Sequence, residues 1–321
     1  MDRGGFERMA GEVATPETIE ARVEALRAAP LDRAPEAPLA AALIHCAFAR
    51  PELLPASWDA LARGWLGGPD AEPTIAPPPP PADAAVPGAL WPDLWSVVDD
   101  ALAGRLDALA ITARTAALAR HLPEGFDQRL AALALAFPGV GAAAAGGIPP
   151  RFTLEELGQA PAGSLGALFH HQVTANGFEL EVLERDALAL DSLPFPLGYV
   201  NARMLQLHDL WHLAAGYELT ALHEIGISAF QMAQFGHHYS AMFLALVLTI
   251  AAAGPVPGGM APLLDTVARA WRHGRVAPPL LGLDWKALWM RPVADVRTTL
   301  GLPAFASPFP PAMLEALRPA A

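Results

Sequence analysis

Apolar positions along the chain recur every three to four residues, the period of a helix with one buried face. Ile19, Val23 and Leu26 begin the pattern behind Thr15-Pro16, a capping residue followed by proline at the first helical position. Leu39 to Phe48 and Trp58 to Leu66 continue it. The pattern then breaks at Asp70 to Pro87, where Pro77 to Pro81 form an unbroken proline run. Such a run suits neither a helix nor a sheet ladder and predicts an extended spacer. Helical spacing resumes over Leu90 to Ala103, Arg105 to His121 and Phe126 to Phe137. Gly139 to Pro150 reads as a loop, and Phe152 to Leu157 as a short helix behind Thr153. β-Branched residues rarely alternate with polar ones, so the expected fold is all-α. Three segments follow: a helical N-terminal extension over 1–69, a Pro-rich linker over 70–87 and a helical core over 88–321.

Ile225 to Gly254 changes the picture within that core. It holds no formally charged residue other than His237 and His238, and Ala241 to Ala253 is nearly all apolar. A membrane span needs about 20 apolar residues in a row. Ser228, Gln231, Gln234 and the two histidines interrupt this stretch, which reads instead as buried helices or the wall of an apolar cavity. The expected architecture is a multi-helix bundle with such a cavity. Trp271, Trp285 and Trp289 stand among Arg269, Arg272, Arg275 and Arg291, a mixture that suits either a membrane interface or ordinary helix packing.

Composition narrows the function classes. The 321 residues are 53% hydrophobic and 17% charged, ample for a sizeable core. A net charge of −12 argues against nonspecific nucleic-acid binding, which needs Lys and Arg to neutralise phosphates. Cys46 is the sole cysteine, so no intrachain disulfide can form. Met1 to Glu12 mixes charges without an apolar run, and no secretory signal is expected there.

The chemistry-bearing stretch is His208-Asp209-Leu210-Trp211-His212, followed by Gly216 and Glu224. Histidines four residues apart share a helix face and can bind one divalent cation. On a straight helix Glu224 would lie roughly 18 Å beyond His212. The chain must therefore turn back, and Gly216 can end a helix in the left-handed conformation. A second helix from near Leu219 would return Glu224 to the histidines. Two nitrogens with one or two carboxylates suit zinc, iron(II) or manganese. Residue types alone equally allow a satisfied polar pair. His170-His171, His237-His238 and His223 are further candidates to face the site, with ordinary polar contacts as the alternative.

His208-Asp209-x-x-His212, eleven residues and Glu224 resemble the signature of the ubiquinone biosynthesis protein 4 family. Gly198-Tyr199-Val200 and Arg203 precede the motif at similar offsets, and Gly216 follows it. Pro161 to Gly166, His273 to Pro278 with Leu281, and Trp285 to Leu302 with Arg297 resemble further blocks. The similarity spans residues 150–303. Leu205 replaces a basic residue of the pattern, and the N-terminal third matches poorly.

The resemblance implies a helical protein on the inner, cytoplasmic face of a membrane. It would act on, or organise, polyprenylated ring intermediates of ubiquinone synthesis. One divalent metal (zinc, iron or manganese) would be held by His208, His212 and Glu224, with Asp209 as fourth ligand or catalytic proton carrier. The implied reaction is oxidative decarboxylation of a prenylated 4-hydroxybenzoate. The implied partners are a polyprenylated aromatic lipid, other ubiquinone biosynthesis enzymes and a second copy in a homodimer. A non-catalytic scaffold with a structural metal is the alternative. His-Asp pairs also occur in metal-dependent phosphohydrolases, for which Asp186 and Asp191 would be available.

Overall fold

Sixteen α-helices and no β-strand make up the regular structure of the described residues. The computed structural model describes the chain except for residues 13, 70–72, 182–184, 186–188 and 318–321. Asp186 and the first three residues of the Pro-rich segment therefore lie outside the described residues.

The first four helices are α1 (Arg3–Gly11), α2 (Pro16–Ala28), α3 (Glu36–Phe48) and α4 (Leu54–Leu66). α2 starts as its sequence dictates: Pro16 opens it, and Thr15 and Thr18 exchange reciprocal side-chain bonds in a capping box. α1 is not expected from the charge-rich start of the chain, although Phe6, Met9 and Ala10 stand at helical spacing. It is helical because Phe6 and Ala10 find a buried surface, with Phe6 edge-on to Trp91 and Trp95.

Six helices follow: α5 (Leu90–Leu102), α6 (Ala108–Leu118), α7 (Phe126–Leu135), α8 (Val140–Ala144), α9 (Leu154–Gly158) and α10 (Leu165–Asn176). α6 is shorter than its spacing predicts, because the Asp107 side chain caps it by accepting from the Ala110 N–H. α8 replaces part of the expected Gly139–Pro150 loop, where alanine's helix propensity and the burial of Val140 and Ala144 prevail. The chain closes with α11 (Leu197–Ala215), α12 (Ala221–Phe235), α13 (His238–Ala253), α14 (Met260–Val276), α15 (Val293–Leu300) and α16 (Met313–Ala316).

α12 and α14 form the closest pair, while α3 lies on α13 and α4 on α14. Buried apolar residues from Phe6 to Leu302 consequently share one core. Residues 73–87 form no helix but are fastened down. Ile75 is buried, Arg275 donates to the Pro73 carbonyl at 2.6 Å, and Arg50 donates to Ala82 at 3.0 Å. The late tryptophans are core residues rather than an interface belt. Trp271, Trp285 and Trp289 are at most 4% exposed, and Trp271 donates to Asp59. No helix among the described residues is long and apolar enough to cross a membrane.

The α12–α14 contact depends on Gly274. A Cβ there would stand 2.5 Å from the Phe230 carbonyl oxygen and 2.7 Å from the Ala233 Cβ. Gly274→Ala should destabilise the protein by about 1–3 kcal/mol through overpacking, read from urea or thermal unfolding. An unchanged midpoint would mean that the two helices separate freely.

Candidate metal centre

α11 ends where its sequence says it must. Gly216 takes φ 80°, its N–H bonding the His212 carbonyl at 3.0 Å, and Tyr217 bonds the same oxygen at 2.9 Å. The chain reverses through residues 217–220, with His223 Nδ1 accepting the Glu218 N–H at 2.8 Å. Glu224 then sits in the first turn of α12. Gly216 is also needed for space, because a Cβ would meet the Ala304 Cβ at 2.8 Å.

The reversal brings His208, His212 and Glu224 together. His208 Nε2 is 3.2 Å from one Glu224 oxygen, His212 Nε2 is 3.2 Å from the other, and the two nitrogens are 3.4 Å apart. Ligand atoms around a tetrahedral ion at about 2.0–2.1 Å lie about 3.3–3.4 Å from one another. Each nitrogen meets a different Glu224 oxygen close to that spacing, and one ligand atom from each residue lies within 4.8 Å of the others, close enough to share a single divalent cation. Among the described residues the trio is the group of His, Cys, Asp and Glu side chains so disposed. His212 is fully buried, whereas the side chains of His208 and Glu224 are 25% and 41% exposed. One side of the trio is therefore open.

Outer contacts orient both rings. His212 Nδ1 lies 3.2 Å from the Tyr217 carbonyl, so the proton belongs on Nδ1 and the Nε2 lone pair faces Glu224. His208 Nδ1 lies 2.8 Å from the Gln231 side-chain amide, which can accept its proton through the amide oxygen after a flip. Tyr217 is a hub. Its hydroxyl meets His273 Nδ1 at 3.1 Å, and its ring stacks on Phe305. Arg297 reaches the Leu213 and Ala214 carbonyls, fixing the end of α11.

Sequence reasoning does not single out Gln231, Tyr217 or Arg297 as holding the ligands. Gln231 had a usable signal, since it lies seven residues after Glu224 on the same face of α12. Gln231→Leu should lower metal affinity about 10–100-fold, measured by competition with a chromophoric chelator.

Electrostatics follow from the same geometry. Burial opposes a charge on His208, but the hydrogen bond and charge of Glu224, the Asp209 charge and Gln231 prevail and raise its pKa to about 9. Burial likewise works against the Glu224 carboxylate, yet its two imidazoles hold it far below the usual range. Asp209 stays outside the trio, near enough to His208 for its charge to act. Its backbone carbonyl accepts from Gln172.

The other histidines separate. His237 is buried, close enough to His208 to feel its charge, and shares a hydrogen bond with Ser240. His238 turns away to the Ala47 carbonyl. His170 and His171 lie outside the trio, and Asp191 is exposed in a short turn.

An all-helical chain whose reversed helix pair presents two histidines and one glutamate defines a class: helical proteins with a two-histidine, one-carboxylate candidate metal centre. Residues 150–305 match the family described as coenzyme Q (ubiquinone) biosynthesis protein Coq4, which implies a role in ubiquinone biosynthesis. The matched segment contains the whole trio. Among solved structures, the chain is similar to a protein from Nostoc punctiforme provisionally named a ubiquinone biosynthesis protein. The identity is 21% and the TM-score 0.49, covering 66% of this chain and 96% of that one. No curated protein matches the chain.

Proposed function

We propose that the protein acts on polyprenylated ring intermediates of ubiquinone synthesis. In this reading it is a metal-dependent enzyme that replaces the C1 carboxylate of a prenylated 4-hydroxybenzoate by a hydroxyl. The observation that supports this reading is the trio's shape: two imidazole nitrogens 3.4 Å apart, each 3.2 Å from a different oxygen of one carboxylate, with one side exposed. His208, His212 and Glu224 would hold one zinc, iron or manganese ion. When bound, such an ion polarises a ring carboxylate or phenolate, and iron(II) held by two His and one carboxylate suits oxygen chemistry.

The chain's own residues would do the rest. Tyr217 and Gln231 would fix the two imidazoles, and Asp209, outside the trio but with its charge felt by His208, would serve as fourth ligand or proton carrier. Tyr239, near Glu224, begins a half-buried stripe on α13 that continues through Phe243, Val247 and Ile250. The eleven residue steps from Tyr239 to Ile250 extend roughly 16 Å along the helix. An isoprenoid tail laid along that stripe would gain affinity in proportion to the apolar area it covers. So insoluble a substrate favours peripheral attachment to the inner, cytoplasmic face of the membrane, beside other ubiquinone biosynthesis enzymes. A homodimer is part of the same proposal.

A second reading rests on His212 being fully buried while Glu224 ties α11 to α12. The metal would then be structural, and the protein a prenyl-lipid-binding scaffold. Metal-loaded protein incubated in air with a prenylated 4-hydroxybenzoate separates the two. Release of carbon dioxide and formation of the hydroxylated ring, lost in Glu224→Gln, supports the enzyme. Tight binding without turnover, under every metal tried, supports the scaffold and ends the catalytic reading.

A further inference from the structure

A cleft of about 460 Å³ lies where the first helices meet the core, and none of the trio lines it. Trp65 and Leu66 from α4 form one wall. Arg269, Arg272 and Val276 from α14 form another, and Phe305 with its neighbours closes the third. Its size is that of a small-molecule site, and its lining combines aromatic surface with a few charged groups.

The charges are unequally matched. Asp265 is the only carboxylate in the lining, and both its oxygens are engaged, one by Trp65 Nε1 at 3.0 Å and the other by Arg269 Nε at 2.7 Å. Arg269 thus meets Asp265 through Nε alone, which leaves its two terminal amines without a hydrogen bond among the described residues. Arg272 donates one terminal amine to the Gly67 carbonyl at 2.5 Å, and no carboxylate among the described residues reaches it. Burial and the nearby Arg269 charge both press the Arg272 pKa down. His273 adds no charge, since its nitrogens face the Tyr217 hydroxyl and the Pro303 carbonyl. The cleft therefore carries a net positive charge on a protein whose overall charge is −12.

We infer that this cleft binds a phosphate group borne on an apolar body. Arg269 and Arg272, three residues apart on one face of α14, present separate guanidinium forks to one small volume. A carboxylate is satisfied by a single fork, whereas a tetrahedral phosphate offers oxygens to both. Trp65, Val276 and Phe305 would cover the attached apolar part. That group can come from a soluble phosphate ester or from a lipid headgroup. None of the metal-ligand candidates lines the cleft, so metal-free protein serves for the test.

Titration calorimetry with phenyl phosphate reads the soluble source. Co-sedimentation with phosphatidylcholine vesicles, with and without phosphatidylglycerol, reads the lipid source. Binding in either arm should weaken roughly tenfold or more in Arg269→Gln/Arg272→Gln and fall with added salt. Arg272→Lys should restore part of it. Should the double variant melt early, Arg269→Gln alone carries the test, because no hydrogen bond among the described residues ties Arg269 to the N-terminal helices. Silence in both arms, or equal affinity in wild type and variant, overturns the inference.

Discussion

His212→Ala is expected to abolish stoichiometric metal binding. Wild-type protein reconstituted with iron(II) or zinc should carry about one equivalent, and the variant essentially none. His212 is the fully buried corner of the trio, and its Nε2 lies within 3.4 Å of both other ligand atoms. Its removal deletes one of three protein ligands. It also deletes the hydrogen bond to the Tyr217 carbonyl that sets the ring's tautomer. Losing an outer contact alone costs about 10–100-fold in affinity, so losing the ligand and its contact together should exceed that range. Elemental analysis beside circular dichroism checks the result. A variant that stays helical and still binds one equivalent would refute the trio as the metal site.

The second large effect is loss of stability on mild acidification. His237, His238 and His273 are held neutral by burial, with pKa values pushed down to about 3, 4 and 4. In the unfolded chain each titrates near 6.5. The unfolded state therefore binds more protons below that value, and stability falls with pH through the window from about 6.5 to 4. Three such groups together cost on the order of 4 kcal/mol between pH 7 and 5.5, comparable to much of a domain's net stability.

His208 acts in the opposite direction. Its pKa in the folded, metal-free protein is raised to about 9, so its contribution is complete below 6.5 and is lost as pH rises through 9. Metal-free protein should thus melt highest at about pH 7 and lower on either side. Bound metal must displace the His208 proton, so metal affinity should rise with pH towards 9 and the alkaline arm should shrink in loaded protein. Thermal melts from pH 4.5 to 9, with and without chelator, measure both arms. A flat acid arm would mean that the buried histidines are hydrated.

Much of the site was legible because local chemistry specified it. The His208–His212 interval places two imidazoles on one face of any helix, and Gly216 can end that helix with a left-handed residue. The twelve-residue interval to Glu224 made a reversal necessary for a shared ion, and α12 begins where that reversal requires. The all-α fold was legible from the same kind of information, since helical periodicity and capping by Thr15, Asp107, Thr153 and Ser164 are short-range.

Other features depend on residues far apart in sequence. α1 offers only Phe6, Met9 and Ala10 at helical spacing, and it is held by Phe6 meeting Trp91 and Trp95, some 85 residues away. Trp271, Trp285 and Trp289 could have faced a membrane, and only packing against helices such as α4 puts them in the core. The phosphate cleft joins Trp65 to Arg269 and Phe305 across that same junction.

The sequence by itself determined most of the helices, though not α1 or α8, along with the reversal at Gly216 and the two imidazoles, because these rest on backbone preferences and spacings within a few turns. Tertiary structure alone decided that Glu224 reaches both histidines, that Asp209 stands apart, that one side of the trio is open and that two arginines share a cleft. Those outcomes depend on how whole helices pack, and packing is set by surfaces whose partners lie dozens to hundreds of residues away.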